Sequence, residues 1–217
     1  MHLKLIALIT MIIDHTGAIF FGGQDLYRII GRLSFPIYCF LLVEGFFHTK
    51  STEKYAVRLF IFALISELPF DYAFFGGLNS SHQNIFFTLF LGLIAIWISE
   101  EYKLKNPLIS IIGFFLAAQL AAFLNADYTM LGIFYILIFY VSRNIDPVLK
   151  YFVLFGGIAL STSLFSSSLQ MFALLALIPI MFYNGKPGLR SRLVQYGFYA
   201  AYPVHLLILY LIQTFMN

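Results

Sequence analysis

Nine apolar runs, near residues 3–21, 33–47, 55–75, 84–99, 107–124, 128–141, 148–164, 169–183 and 197–216, fill almost all of this 217-residue chain. One helical crossing of a bilayer takes about 20 apolar residues. The separators are short and rich in turn residues: Gly22-Gly23, His48 to Lys54, Gly76 to Gln83, Glu100 to Pro107, Asn125 to Asp127, Ser142 to Pro147, Ser161 to Ser168, and Asn184 to Gln195. Lipid tolerates only helices and closed barrels, because every backbone N–H and C=O must find a partner inside the protein. No alternating segments of about ten residues mark barrel strands. The expectation is an all-α, polytopic transmembrane helix bundle of about nine spans, with residues 1–217 forming a single integral membrane domain. Several runs fall short of a full crossing, so eight or ten spans also fit.

Composition closes off the other classes. With 61% hydrophobic and 11% charged residues and a mean hydropathy of +0.88, the chain is far from a water-soluble domain, where roughly a quarter of residues are charged. Its 26 Phe and 14 Tyr exclude disorder. The net charge of +3 is scattered over short loops, with no basic arm or stripe for a nucleic acid. Cys39 stands alone in an apolar run, which leaves no internal disulfide and no cysteine-based zinc site, and no metal is expected. The first run lacks a small-residue cleavage site and carries Asp14 and His15 in its middle, so it reads as a retained helix and not a signal peptide.

The cations set an orientation. With the N-terminus cytoplasmic and nine spans, the inner side holds Lys4, Lys50, Lys54, Arg58, Lys103, Lys105, Arg143, Lys150, Lys186, Arg190 and Arg192, eleven of the thirteen Lys and Arg. That follows the positive-inside rule and puts the C-terminus outside. Only Arg28 and Arg32 are left over. The two halves share no motif, which weighs against a transporter built from inverted repeats.

Ionisable groups at membrane depth cost a few kcal/mol at least and are candidates for function. Asp14 and His15 lie roughly 17 Å along the first span at 1.5 Å per residue, just past the midplane. Adjacent helical residues point about 100° apart, so the two cannot form a dyad on one face. They can still line one cavity, with Asp14 meeting an arginine and His15 facing a substrate; imidazole takes and returns a proton near neutrality. Arg28 and Arg32, four apart, need an anion between them: a bound phosphate or carboxylate, or the chain's own Asp14, Asp25, Glu67 or Asp71.

The third run carries Arg58 at its inner end, and Glu67 and Asp71 around Pro69, which should kink it. Asn84 and Thr88 open the fourth run, Asp127 precedes the sixth, and His205 falls near the middle of the last. A polar cavity in the middle-to-outer half is the natural inference. Glu44, His48 and Arg58 make an inner group that could border an access route from the cytosol, with His48 and Asp127 readable as solvated helix ends. Packing pairs that only specify how helices assemble remain the bland alternative for each of these groups. No P-loop, His-Glu-x-x-His, Gly-x-Ser-x-Gly or Rossmann fingerprint is present.

The motifs Met11-Ile12-Ile13-Asp14-His15, Arg28-Ile29-Ile30-Gly31-Arg32-Leu33-Ser34-Phe35-Pro36, Glu44-Gly45-Phe46-Phe47-His48, Ser66-Glu67-Leu68-Pro69 and Asn84-Ile85-Phe86-Phe87-Thr88 together resemble the TraX family, in order, spacing and chain length. The resemblance is close over roughly the first 95 residues, loose in the middle, and returns at Tyr202-Pro203 and His205-Leu206. It implies a bacterial inner-membrane acetyltransferase, akin to a wider clan of polytopic membrane acyltransferases. The namesake activity is N-acetylation of a conjugative pilin. By that resemblance the donor is cytosolic acetyl-CoA. The acceptor is a pilin-like peptide, a surface glycan or another membrane-presented amine or hydroxyl.

In this chain the resemblance assigns the central histidine to His15, with Asp14 beside it. Arg28, Arg32, Arg58 and Asn84 become the candidates for holding the donor, and Glu44, His48, Glu67, Thr88 and His205 the further cavity candidates. Two other classes compete: a proton-coupled transporter or flippase using the same buried His and Asp residues, and a structural membrane subunit. Donor-dependent product formation separates the first from both.

Overall fold

The structure, a computed structural model, describes residues 2–185 and 191–216, with the backbone only at Arg192. Lys186 and Arg190 of the inner-side cations lie outside the described residues. The regular elements of the described residues are helices: α1 (His2–Phe20), α2 (Asp25–Gly31), α3 (Ser34–His48), α4 (Thr52–Phe75), α5 (Ile85–Tyr102), α6 (Pro107–Phe123), α7 (Thr129–Ser142), α8 (Pro147–Phe165), a 3₁₀ stretch (Ser168–Ala176) running into α9 (Leu177–Met181), and α10 (Arg192–Met216). An isolated bridge between Gln83 and Ala126 is the one piece of extended pairing among them.

Five stretches are long and apolar enough to cross a membrane: His2–Phe20, Asp25–His48, Ile85–Tyr102, Pro147–Phe165 and Leu193–Met216. Helices α6 and α7 are apolar but shorter. Helix α4 is about 36 Å long by its 24 residues, yet Glu53, Lys54, Arg58, Glu67 and Asp71 make it the most charged of the long helices. Its helix runs through Pro69 without a break. The eighth apolar run differs most from expectation. It is mostly 3₁₀, and with a rise of about 2.0 Å per residue its 14 residues cover about 25 Å.

The helix starts follow local chemistry. Asn84, Asn106 and Asp146 each cap a helix by accepting from the backbone N–H two residues on, at 3.0, 3.2 and 3.0 Å. Pro107 and Pro147 sit in the first turn, where a missing N–H costs nothing. The turn residues predict a separator at Ser161 to Ser168, but α8 continues to Phe165. Ser161 and Ser163 bond the carbonyls of Gly157 and Ala159 one turn back, which lets hydroxyls ride inside an apolar helix.

The chain divides into two compact units. The first comprises Met1–Tyr38, Leu64–Ser80 and Leu169–Asn217. In it α1 packs on α2 and on α10. The α1–α2 turn uses Gly22 and Gly23 at φ of 60° and 74°, a backbone that glycine adopts freely, and Gly23 N–H closes onto Gly17 O at 3.0 Å. The second unit comprises Cys39–Ala63 and Ser81–Ser168, where α5, α6, α7 and α8 pack in succession. Gly113, Ala117 and Ala121 recur every fourth residue on the buried stripe of α6 and bring its backbone close to its neighbours.

Candidate functional site

The α1–α2 hairpin sets the first cluster. Gly31 has no side chain, which lets α2 lie directly on the carboxylate of Asp14; a Cβ there would overlap Asp14 Oδ1. With the backbones this close, Arg28 Nη1 donates to Asp14 Oδ2 at 2.8 Å, and Arg32 Nη2 stands 3.5 Å from Asp14 Oδ1. Asp14 is thus the anion shared by the two arginines. The side chains of Asp14 and Arg32 are 13% and 12% exposed and that of Arg28 is 28%, so Arg28 is the more open guanidinium. Arg32 also donates from Nη1 to Gln170 Oε1 at 2.8 Å.

The adjacent position on α1 faces elsewhere. His15 Nδ1 lies 2.7 Å from Nε2 of His205 on α10. The ring of Phe74 meets His15 edge-on at 5.3 Å, and Tyr202 does so at 6.0 Å. His205 is 7% exposed and its Nδ1 donates to Ala201 O at 2.8 Å. As whole residues, His15 is half-buried and His205 is buried. One turn of α1 therefore presents an ion cluster on one side and an imidazole pair on another, as the angle between adjacent helical residues requires.

Other sequence candidates of this unit sit in α4. Asp71 is buried and accepts from Asn79 N–H at 3.0 Å, which ties the end of α4 to the following loop. Glu67 is half-buried with one buried carboxylate oxygen.

The remaining candidates belong to the second unit. Asn84 is fully buried, accepting from Phe86 N–H and donating to Ala63 O at 2.8 Å, so its amide links α5 to α4. Thr88 donates to Asp127 O at 2.6 Å. Glu44 lies 3.9 Å from His48 and 3.5 Å from Arg143 Nε, and the Arg143 guanidinium sits 4.0 Å over the Phe47 ring. Arg58 stacks over Tyr55 at 5.4 Å.

The residues that sequence reasoning passed over are Gln170 and Arg143. A lone amide opening the apolar stretch after Ser168 was the available signal for Gln170. The sequence marks Arg143 only as an inner-side charge.

Compared with known proteins, the chain matches the family model described as "TraX protein" over residues 1–213. The chain belongs to the TraX family. Among curated relatives of this TraX protein, it is 31% identical to the "Probable fimbrial assembly protein FimC, serogroup H1" of Dichelobacter nodosus, covering 99% of this chain and 96% of that one. It is also 30% identical over 95 residues to a protein of Rickettsia prowazekii (strain Madrid E), which covers 44% of this chain and 35% of the relative. No solved structure matches the chain. Family membership and the apolar helices make this TraX protein a polytopic helical membrane protein.

Proposed function

We propose that this TraX protein is a membrane-embedded acetyltransferase of the bacterial inner membrane, moving an acetyl group from acetyl-CoA to an amine or hydroxyl presented at the membrane. The observation that carries the reading is the half-buried His15 on the wall of α1, in hydrogen-bond contact with a second imidazole and one residue from the Asp14–Arg28–Arg32 cluster. A group that accepts a proton and a group that binds developing negative charge are what acyl transfer asks for.

In this reading His15 takes the proton from the acceptor nitrogen or oxygen as that atom attacks the acetyl carbonyl carbon. The new C–N or C–O bond forms, the C–S bond breaks, and the proton passes from His15 to the departing thiolate, which leaves as free CoA. Asp14, Arg28 and Arg32 together carry one net positive charge. Placed at membrane depth, that charge suits the oxygen of the attacked carbonyl or a donor phosphate, with the more exposed Arg28 as the contact and Asp14 as the group that fixes it. Arg58 and Asn84 are the further donor-holding candidates that the sequence offers, and the Asn84 amide is engaged with backbone on both sides.

The acceptor proposed for the first trial is a pilin N-terminus, because a relative at 31% identity is named for fimbrial assembly. The test is transfer of radiolabel from acetyl-CoA into native membranes by the purified protein in nanodiscs. Label should appear in a pilin-sized or glycan product and be absent with His15→Ala. Proton-driven flux of a solute without any acyl donor would replace this reading with the transporter class.

A further inference from the structure

The imidazole pair fixes where its protons are. The His15 and His205 ring centroids are 5.0 Å apart with planes 13° from parallel, while the facing nitrogens are 2.7 Å apart. The nitrogen contact plus one ring radius on each side accounts for the whole centroid spacing. The rings therefore lie nearly in one plane and meet edge to edge, the direction in which an imidazole lone pair accepts. Two nitrogens this close share one proton.

The backbone decides which ring supplies it. His205 Nδ1 faces the Ala201 carbonyl at 2.8 Å, and a carbonyl oxygen only accepts, so Nδ1 of His205 carries hydrogen. In neutral His205 the other nitrogen, Nε2, is then the acceptor, and the shared proton belongs to His15 Nδ1. That leaves His15 Nε2 as a bare lone pair. Pro203 lies within this turn of α10, where it removes one backbone N–H from the ladder and loosens the turn that His205 reaches back across.

We infer that His205 is a positioning residue: through the chain Ala201 O, His205, His15 it holds His15 in the Nδ1–H tautomer with Nε2 as the proton-accepting atom. In this role His205 acts through its contact with His15 Nδ1 and not on the substrate. Phe74 and Tyr202, edge-on to His15, hold the ring plane that the tautomer needs. When His15 Nε2 takes a proton, the Nδ1–H bond to His205 strengthens as a charge-assisted contact, so the same residue supports the imidazolium. This assignment rests on the acetyltransferase reading for its consequence on rate, but the tautomer itself does not.

The test pairs ¹⁵N NMR of histidine-labelled protein in nanodiscs with acetyl-transfer kinetics, for the parent, His205→Leu and His205→Gln. The His15 signal, assigned by its loss in His15→Gln, should show hydrogen on Nδ1 and a bare Nε2 in the parent and in His205→Gln, whose amide oxygen can still accept. It should lose that tautomer in His205→Leu. Turnover in His205→Leu should fall about 100-fold or more with KM unchanged, the signature of a wrongly set tautomer, and His205→Gln should recover most of it. A parent His15 protonated on Nε2 overturns the inference, whether or not the protein transfers acetyl groups. So does full turnover in His205→Leu. If the parent shows the expected tautomer but no acetyl transfer occurs, the positioning role stands and the acetyltransferase reading falls. Should His205→Leu fail to insert, the parent spectrum alone decides.

Discussion

Gly31 of α2 lies against the carboxylate of Asp14 in α1, with no room for a Cβ between them. This contact is what lets two arginines from the α2 region reach one half-buried aspartate. Gly31→Ala should push the helices apart, at the cost of about 1–3 kcal/mol that overpacking typically brings. The expected result is a lower melting temperature in detergent together with loss of any donor binding that depends on Arg28. A melting curve equal to that of the parent would show that the hairpin relaxes freely.

Asp14→Asn removes the carboxylate that the two guanidinium groups share. Breaking a fully buried pair costs about 3–5 kcal/mol. The cost here should be smaller, since 28% of the Arg28 side chain is exposed. Arg28→Gln in the Asp14→Asn background should recover part of the loss, and a double-mutant cycle on thermal or denaturant unfolding measures that coupling. Additive losses would mean that the pair has no energetic connection.

How much of this was readable in the sequence differs by residue. The spacing of Arg28 and Arg32 demanded an anion between them, yet four carboxylates could have served. What selects Asp14 is the bare backbone of Gly31, a feature that matters only once α1 and α2 are folded together. The contact of His15 with His205 spans 190 residues of sequence, and no periodicity links them. The helices themselves were legible from the apolar runs and from Asn106-Pro107 and Asp146-Pro147. The 3₁₀ character of residues 168–176 was not, because helix types share the same apolar composition.

Tyr135 and Thr162 join α7 to α8 through a 2.6 Å hydrogen bond between two fully buried hydroxyls. Thr162→Val keeps the shape and removes one partner, leaving the tyrosine hydroxyl to find another. Bonds of this kind between membrane helices contribute about 0.6 kcal/mol on average and at most about 1.7. A modest fall in melting temperature with unchanged acetyl transfer is the expected outcome, measured on the same nanodisc preparation.

The cation balance makes a topological prediction. Reporters active only on the far side of the membrane should work when fused after α10 and fail when inserted near Lys103 to Lys105, the basic turn after α5. Activity at both points would overturn the odd-span, N-inside arrangement. Within that turn Lys105 and Glu101 form an exposed pair at 2.7 Å, and the ammonium is held above its ordinary range chiefly by its hydrogen bond to the Glu101 carboxylate.

The acetyltransferase account stands or falls with His15. The most direct measurement is the rate of free CoA release from acetyl-CoA by purified, nanodisc-held protein supplied with a membrane extract as acceptor, comparing the parent with His15→Ala. The account predicts acceptor-dependent thiol release that drops by about 10²–10⁴-fold in the variant, the usual contribution of a positioned proton acceptor, while the variant stays folded and inserted. Equal release by both proteins, or none by a folded parent, would contradict it.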